Sequence, residues 1–400
     1  MSIKITNPAL WKPVPLETAI HRMREGANDK IKASRWLNEG VLKPVDVYCY
    51  LQARFGPPNG VVMLFTSPSS DNLIHWNYTV GVREEWLEFF GISSRLELIA
   101  KTSRPLSDAD WQRLVNSLKD DFKKQGPKMS KVRQQLEHWT LFVNPYRRLE
   151  RIVDDYSSRL KELAVDQLIF PALPRNKQQA QGFRENLDII TKKYYEAAAL
   201  GTSIRMLAPV LGEAAVNLLI FLLVRPEIKK DQRLYNDLVR KDIDIRIKSL
   251  PLQCEGFASG IDGSEKEVRD FLTVMNSRND FLHGNIDPQR LAFDEIFFDK
   301  HIPIFKEEQS FAQWGVVPLV RHVEPEAALK DVERVKCFVE FVLSRLRKPI
   351  QEHARMFLKD PYPGWREDTG RPGVLFSDMF VDSFPMEDGF SEQGEDHGGT

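Results

Sequence analysis

Arg278, Asn279 and His283 lie close together in the segment SEKEVRDFLTVMNSRNDFLHGN, residues 264–285. An imidazole can move protons near neutral pH, and a guanidinium binds phosphate through paired donors. At about 100° per residue, Val268, Leu272, Met275, Asn279 and Leu282 or His283 fall on one helical stripe. The apolar face thus runs on into Asn279 and His283, with Arg278 on its shoulder. Polar groups at the end of a core-facing stripe must be paired, hydrated or engaged at an interface. The negative end of the helix dipole also favours a protonated imidazole there.

The elements that would position these groups are helical. Ser264 with Glu267 reads as a capping box and Gly284 as a C′ residue, which predicts a helix over 265–283. Further helices are expected at about 181–200, 209–224, 227–249 and 324–357, with Pro209 and Pro325 in first-turn positions. The segment 209–224 is apolar nearly all round and reads as the central helix. It carries Glu213 and Asn217 four residues apart, and a carboxylate in such surroundings needs a partner. A structural ion pair from Glu213 to Arg278 or His283 is the plain alternative to a working site.

The run Arg278-Asn279-Asp280-Phe281-Leu282-His283-Gly284 resembles the R-x4-6-H motif of HEPN-domain proteins. The helical pattern over roughly 180–357, including GEAAVNLLIFLL at 212–223, resembles a HEPN bundle. The resemblance implies a homodimer in which two motifs form one metal-independent endoribonuclease site, without cofactors. His283 would then serve as general base or acid, Arg278 would hold the scissile phosphate, and Asn279 would orient one of the two, with Glu213 in support. Such proteins are often toxins or phage-defence effectors, and some members are non-catalytic binding or dimerisation modules. The basic helix 227–249 would guide RNA phosphates through Lys241 and Arg246, unless its charges are only a solvated face.

The first part of the chain differs. VDVYCYLQARF alternates, VVMLFTS follows a Gly/Pro/Asn turn, and LIHWNYTVGV and RLELIAKT complete four strand-like runs. Residues 16–37 have roughly helical spacing. A helix from Ser107 to Lys124 would cover the sheet with Trp111, Leu114, Val115 and Leu118. His75, Trp76, Asn77 and Tyr78 read as packing residues or, alternatively, as a stacking surface for a ligand. The fold class expected is α+β, a small antiparallel sheet with helices followed by an all-α bundle. The units would be 1–130 (recognition of a regulatory protein or ligand), 131–180 (helix and linker), 181–357 (bundle) and 358–400 (a disordered acidic tail).

Composition sets the outer limits. The 56 Lys and Arg against 57 Asp and Glu exclude whole-molecule attraction to nucleic acid. Cys49, Cys254 and Cys337 are too few and scattered for a disulfide framework or a CxxC metal site. P-loop, GxSxG and HExxH motifs are absent from the sequence. Asp294, Glu295, Asp299 and His301 lack a second histidine, so no metal site is expected. No apolar run approaches the roughly 20 residues of a membrane span, and the opening MSIKITNPALW lacks a signal-like apolar stretch. A cytoplasmic protein without membrane contact is the expectation.

Overall fold

Two stretches of strongly β-forming sequence, IHWNYTVGV and EWLEFFGI, meet at a tight turn in which Arg83 takes a positive φ. The computed structural model describes residues 3–15, 17–18, 31–60, 74–92, 95–283, 292, 294–306, 315, 317–318, 320 and 323–375. At 280, 281 and 283 only the backbone is described. The chain is mixed α+β and divides into two compact units. One is built on the residues up to Thr140 together with Arg366–Gly370, the other on Leu141–Trp365 with Arg371–Val374.

The first unit holds a five-stranded antiparallel sheet of β1 (Lys12–Pro13), β2 (Lys32–Leu37), β3 (Ile74–Val82), β4 (Glu85–Ile92) and β5 (Leu96–Thr102), in the order β1-β3-β4-β5-β2. Helices α1 (Pro44–Phe55) and α2 (Asp108–Gln135) belong to the same core. Tyr50, Leu51, Leu87, Phe89, Leu98, Leu114 and Leu118 are fully buried in it. α2 starts on a capping box between Ser107 and Asp110, and its buried stripe is the one expected. Three expectations are corrected. VDVYCYLQARF is helix α1, because Pro44 sits in the first turn and Val47, Tyr50 and Leu51 bury at helical spacing. Residues 32–37 form a strand, and 85–92, passed over between two strand-like runs, form the sheet's central strand β4. VVMLFTS lies outside the described residues.

The second unit is a helical bundle. Its main helices are α3 (Pro145–Glu162), α4 (Lys177–Leu223), α8 (Lys266–His283) and α9 (Pro325–Ser344), which pack around one core. The expected helices 181–200 and 209–224 are one helix, α4, with Pro209 buried in its interior. Proline costs the helix a hydrogen bond, and the burial of Ile204, Ala208, Leu211 and Ala215 around it offsets that loss. α4 is the one described helix long and apolar enough to cross a membrane, and 56% of its most apolar window is buried within the protein.

The expected helix 227–249 is three pieces: α5 (Pro226–Lys230), α6 (Gln232–Arg240) and α7 (Ile243–Gln253). Asp231 and Asp242 sit at the two breaks, and Asp231 caps α6 by accepting from the Arg233 and Leu234 amides. The expected helix 324–357 breaks between α9 and α10 (Lys348–Lys359). A hairpin of β6 (Ile296–Asp299) and β7 (Ile302–Phe305) lies in the stretch 284–323.

Residues 358–375 are ordered, against the expectation of a tail beginning at 358. Asn144 is fully buried at the start of α3, where its Oδ1 accepts from the Tyr146 and Arg147 amides. Its Nδ2 donates to the carbonyls of Phe357, Leu358 and Asp360. One side chain thus caps α3 and fixes the end of α10. The acidic residues from 376 onward lie outside the described residues.

Candidate functional site

The motif helix α8 is entered differently from the expectation. The Asp262 carboxylate accepts from the Ser264 amide at 2.9 Å, and Glu265 is held by Arg345 at 2.6 and 2.8 Å. The helix opens at Lys266, so the Ser264–Glu267 capping box is not formed. Along α8, Val268, Phe271, Val274 and Met275 are buried. Phe271 stacks flat on Phe338 of α9, with ring centroids 4.1 Å apart, and lies against Gly212 of α4. That stack turns the inward stripe toward Arg278, which is half-buried, and leaves Asn279 and Leu282 exposed. Asn279 is therefore off the core line on which spacing alone placed it.

Arg278 reaches α4. Its Nη1 donates to Glu213 Oε2 at 3.3 Å, while Nε and Nη2 donate to Asn279 Oδ1 at 3.3 and 3.1 Å. The other Glu213 oxygen accepts from Arg246 Nη2 at 2.7 Å, and Arg246 Nη1 donates to Asn217 Oδ1 at 2.7 Å. One carboxylate thus sits between two guanidiniums, and the cluster keeps one net positive charge. Two of the five N–H groups of Arg278 have no partner among the described residues. Its side chain is 19% exposed.

Arg246, expected to face RNA, is buried at 7% exposure and serves to hold Glu213 and Asn217. Ile243, Ile247 and Leu250 share its side of α7, and that apolar 3–4 spacing is the signal that would have placed it inside. Lys241 follows α6 and is ion-paired with Asp237 at 3.0 Å, with about a third of its side chain exposed. His283 is the last residue of α8. Its side chain, like Gly284 after it, lies outside the described residues.

The same device recurs elsewhere in the bundle. Asp331 of α9, also buried, accepts from Arg205 at 3.3 Å and from Arg334 at 3.0 Å. A carboxylate clamped by two arginines is thus a structural habit of this unit. Arg278 differs from the others in its exposed neighbour Asn279 and its position five residues from a terminal histidine.

The remaining candidates recede. Among the described residues no group of His, Cys, Asp and Glu could hold a metal ion. Glu295 is paired with Lys306 at 2.7 Å, while Asp299 and His301 flank the tip of the β6–β7 hairpin. Trp76 and Tyr78 pack edge-on against Tyr48 at 5.4 and 6.2 Å, so these rings are used in packing. Burial pushes the Cys254 thiol up to about 12, which leaves it no thiolate at neutral pH. Comparison with known proteins finds no matching family model, curated protein or solved structure.

Proposed function

We propose that the bundle is a HEPN-type, metal-independent endoribonuclease, with its site at the C-terminal end of α8. The observation that carries the reading is the setting of Arg278. Glu213 and Asn279 hold its partly exposed guanidinium in place, and two of its donors have no partner among the described residues. A ribose-phosphate oxygen pair matches those donors. In the reaction proposed, His283 takes the proton of a ribose 2′-hydroxyl, and the 2′-oxygen attacks phosphorus as the bond to the 5′-oxygen breaks. The departing 5′-oxygen takes a proton from water, to which the imidazolium later returns its own. The products are a 2′,3′-cyclic phosphate and a free 5′-hydroxyl. Arg278 stabilises the charge that builds on the phosphoryl oxygens. Asn279 acts on Arg278, as a positioning residue.

The proposed enzyme works as a homodimer, and the β6–β7 hairpin supports that part of the reading. Phe297, Phe298, Ile302, Ile304 and Phe305 are all at least half exposed there, a dozen or more residues beyond the motif. A two-stranded hairpin is marginal by itself, and a second copy would cover it.

The test uses the full chain with structured RNA in excess chelator. Wild type should cut to cyclic-phosphate ends and spare a substrate with a 2′-deoxy sugar at the scissile position. His283→Ala and Arg278→Lys should each slow cleavage by about 10²–10³-fold with the helical signal unchanged. Cleavage that survives His283→Ala would sink the catalytic reading. A second reading, a non-catalytic dimerisation or binding module, is favoured by the clamping of Arg278 in the same manner as Arg205 and Arg334 around Asp331. It predicts an uncleaved RNA and a dimer that both variants leave intact.

A further inference from the structure

β2 closes one edge of the N-terminal sheet, and the chemistry along that edge is specific. The Asn38 amide donates to the Leu96 carbonyl, which sets the alternation of the strand. The backbone groups of Lys32, Ser34 and Trp36 therefore turn toward β5, opposite Thr102, Ala100 and Leu98, and those of Ala33, Arg35 and Leu37 turn outward. Ala33, Arg35 and Leu37 are exposed, and among the described residues β2 pairs with β5 only. Three outward N–H and C=O pairs make a template for another strand.

Beneath this edge runs a groove of about 520 Å³, whose lining includes Ser34, Arg35, Trp36, Glu39, Asp108 and Trp111, with the Arg35 charge answered by Glu97 at 2.6 Å. Trp36 lies nearly parallel to Trp111, with ring centroids 6.1 Å apart and planes at 20°. Neither Glu39 nor Asp108 has an ion-pair partner among the described residues. The other acid of the α2 first turn, Asp110, is occupied by Arg104, and with Ser107 it answers the first amides of the helix. A strand laid along β2 would turn alternate side chains to the face that carries Ser34 and Trp36, over this groove. Trp111 itself is buried, so it is the half-buried Trp36 ring, beside two carboxylates without an ion-pair partner among the described residues, that favours a cationic side chain.

We propose that β2 is a docking edge for an extended basic peptide segment of a partner protein. Its backbone adds a sixth strand through Ala33, Arg35 and Leu37, and one of its Arg or Lys side chains enters the Trp36–Trp111 groove between Glu39 and Asp108. This goes beyond the ribonuclease reading and does not depend on it.

The experiment uses the full chain and three synthetic decapeptides: alternating valine–arginine, alternating valine–glutamate, and the valine–arginine peptide with alternate residues replaced by proline. Amide exchange is followed by mass spectrometry, and tryptophan fluorescence gives the affinity. The expected result is at least tenfold slower exchange at Ala33, Arg35 and Leu37 with the first peptide alone. Ala33→Pro removes one outward donor without touching the β5 ladder, and should abolish the protection while α2 amides exchange as in wild type. Glu39→Gln with Asp108→Asn should weaken binding about tenfold. Equal binding of the acidic peptide, unchanged binding by Ala33→Pro, or protection that appears without peptide as protein concentration rises would each overturn the proposal. The last would mark the edge as a contact between copies of this chain.

Discussion

Glu213 is the residue on which the candidate site turns, because it answers two guanidiniums from two other helices. Removing it leaves Arg246 buried with its charge unmatched, and the Arg246 Nε already has no partner among the described residues. Arg246 is buried but Glu213 is 23% exposed, so truncating Glu213 should cost about 2–3 kcal/mol, less than at a fully buried pair and more than at an exposed one. Glu213→Ala should therefore destabilise the bundle by that amount in denaturant unfolding. Glu213→Gln, which keeps acceptor and shape, should cost less than half as much. The pair of variants also separates two roles. Where Glu213 only supports the fold, Glu213→Gln retains any cleavage activity in proportion to folded protein. Where it positions Arg278, activity drops further than the folded fraction.

At the scale of elements, the crossing of α4, α8 and α9 places Arg278 opposite Glu213. Gly212 permits that crossing: a Cβ there would lie 2.3 Å from the Phe271 ring, which is sandwiched against Phe338. Alanine would raise intrinsic helix propensity by roughly 1 kcal/mol, but the ring it would meet is fully buried and held flat on Phe338. Gly212→Ala should lower bundle stability by about 1–3 kcal/mol, and a measured gain would show that Phe271 can move. These contacts explain what could be read beforehand. The segment 209–224 was legible as the most buried helix, and α2 by its cap and stripe, because both signals are local. The burial of Arg246 is legible in the 3–4 spacing of Ile243, Ile247 and Leu250, but its partners, Glu213 and Asn217, are not, because they lie about thirty residues away in sequence. VDVYCYLQARF admits both a two-residue and a 3.6-residue period, and Pro44 at its start together with packing in the sheet unit's core decides for the helix. The Phe271–Phe338 stack, which turns α8 and moves Asn279 outward, is a tertiary contact that no local pattern announces.

At the scale of the whole molecule, each unit has a core of its own, and the two are built from different chemistry. Six of the eight tryptophans stand in the first 140 residues, while most of the helix lies beyond them. Fluorescence therefore reads the sheet unit, and far-ultraviolet dichroism mainly the bundle. Within the sheet unit, burial pushes the Glu88 carboxyl above its ordinary range, and Lys101 at 3.9 Å only partly opposes this. A carboxyl raised in the folded state favours folding most below its ordinary value of 4.5, and that contribution is lost as pH rises through the folded value. Asp110 has the opposite sign. Held low first by Arg104 and then by Ser107, it stabilises the fold above its ordinary 3.8, and the effect is lost as pH falls through the folded value. Glu88→Gln should thus stabilise the fluorescence transition by roughly 1 kcal/mol at pH 7.5, with the gain vanishing toward pH 4. The dichroism transition should stay where it was. Gly212→Ala should do the reverse, moving dichroism and leaving fluorescence in place. Should both variants shift both signals together, the two cores unfold as one cooperative body, and stability changes in the sheet unit would reach the Glu213–Arg278 site directly.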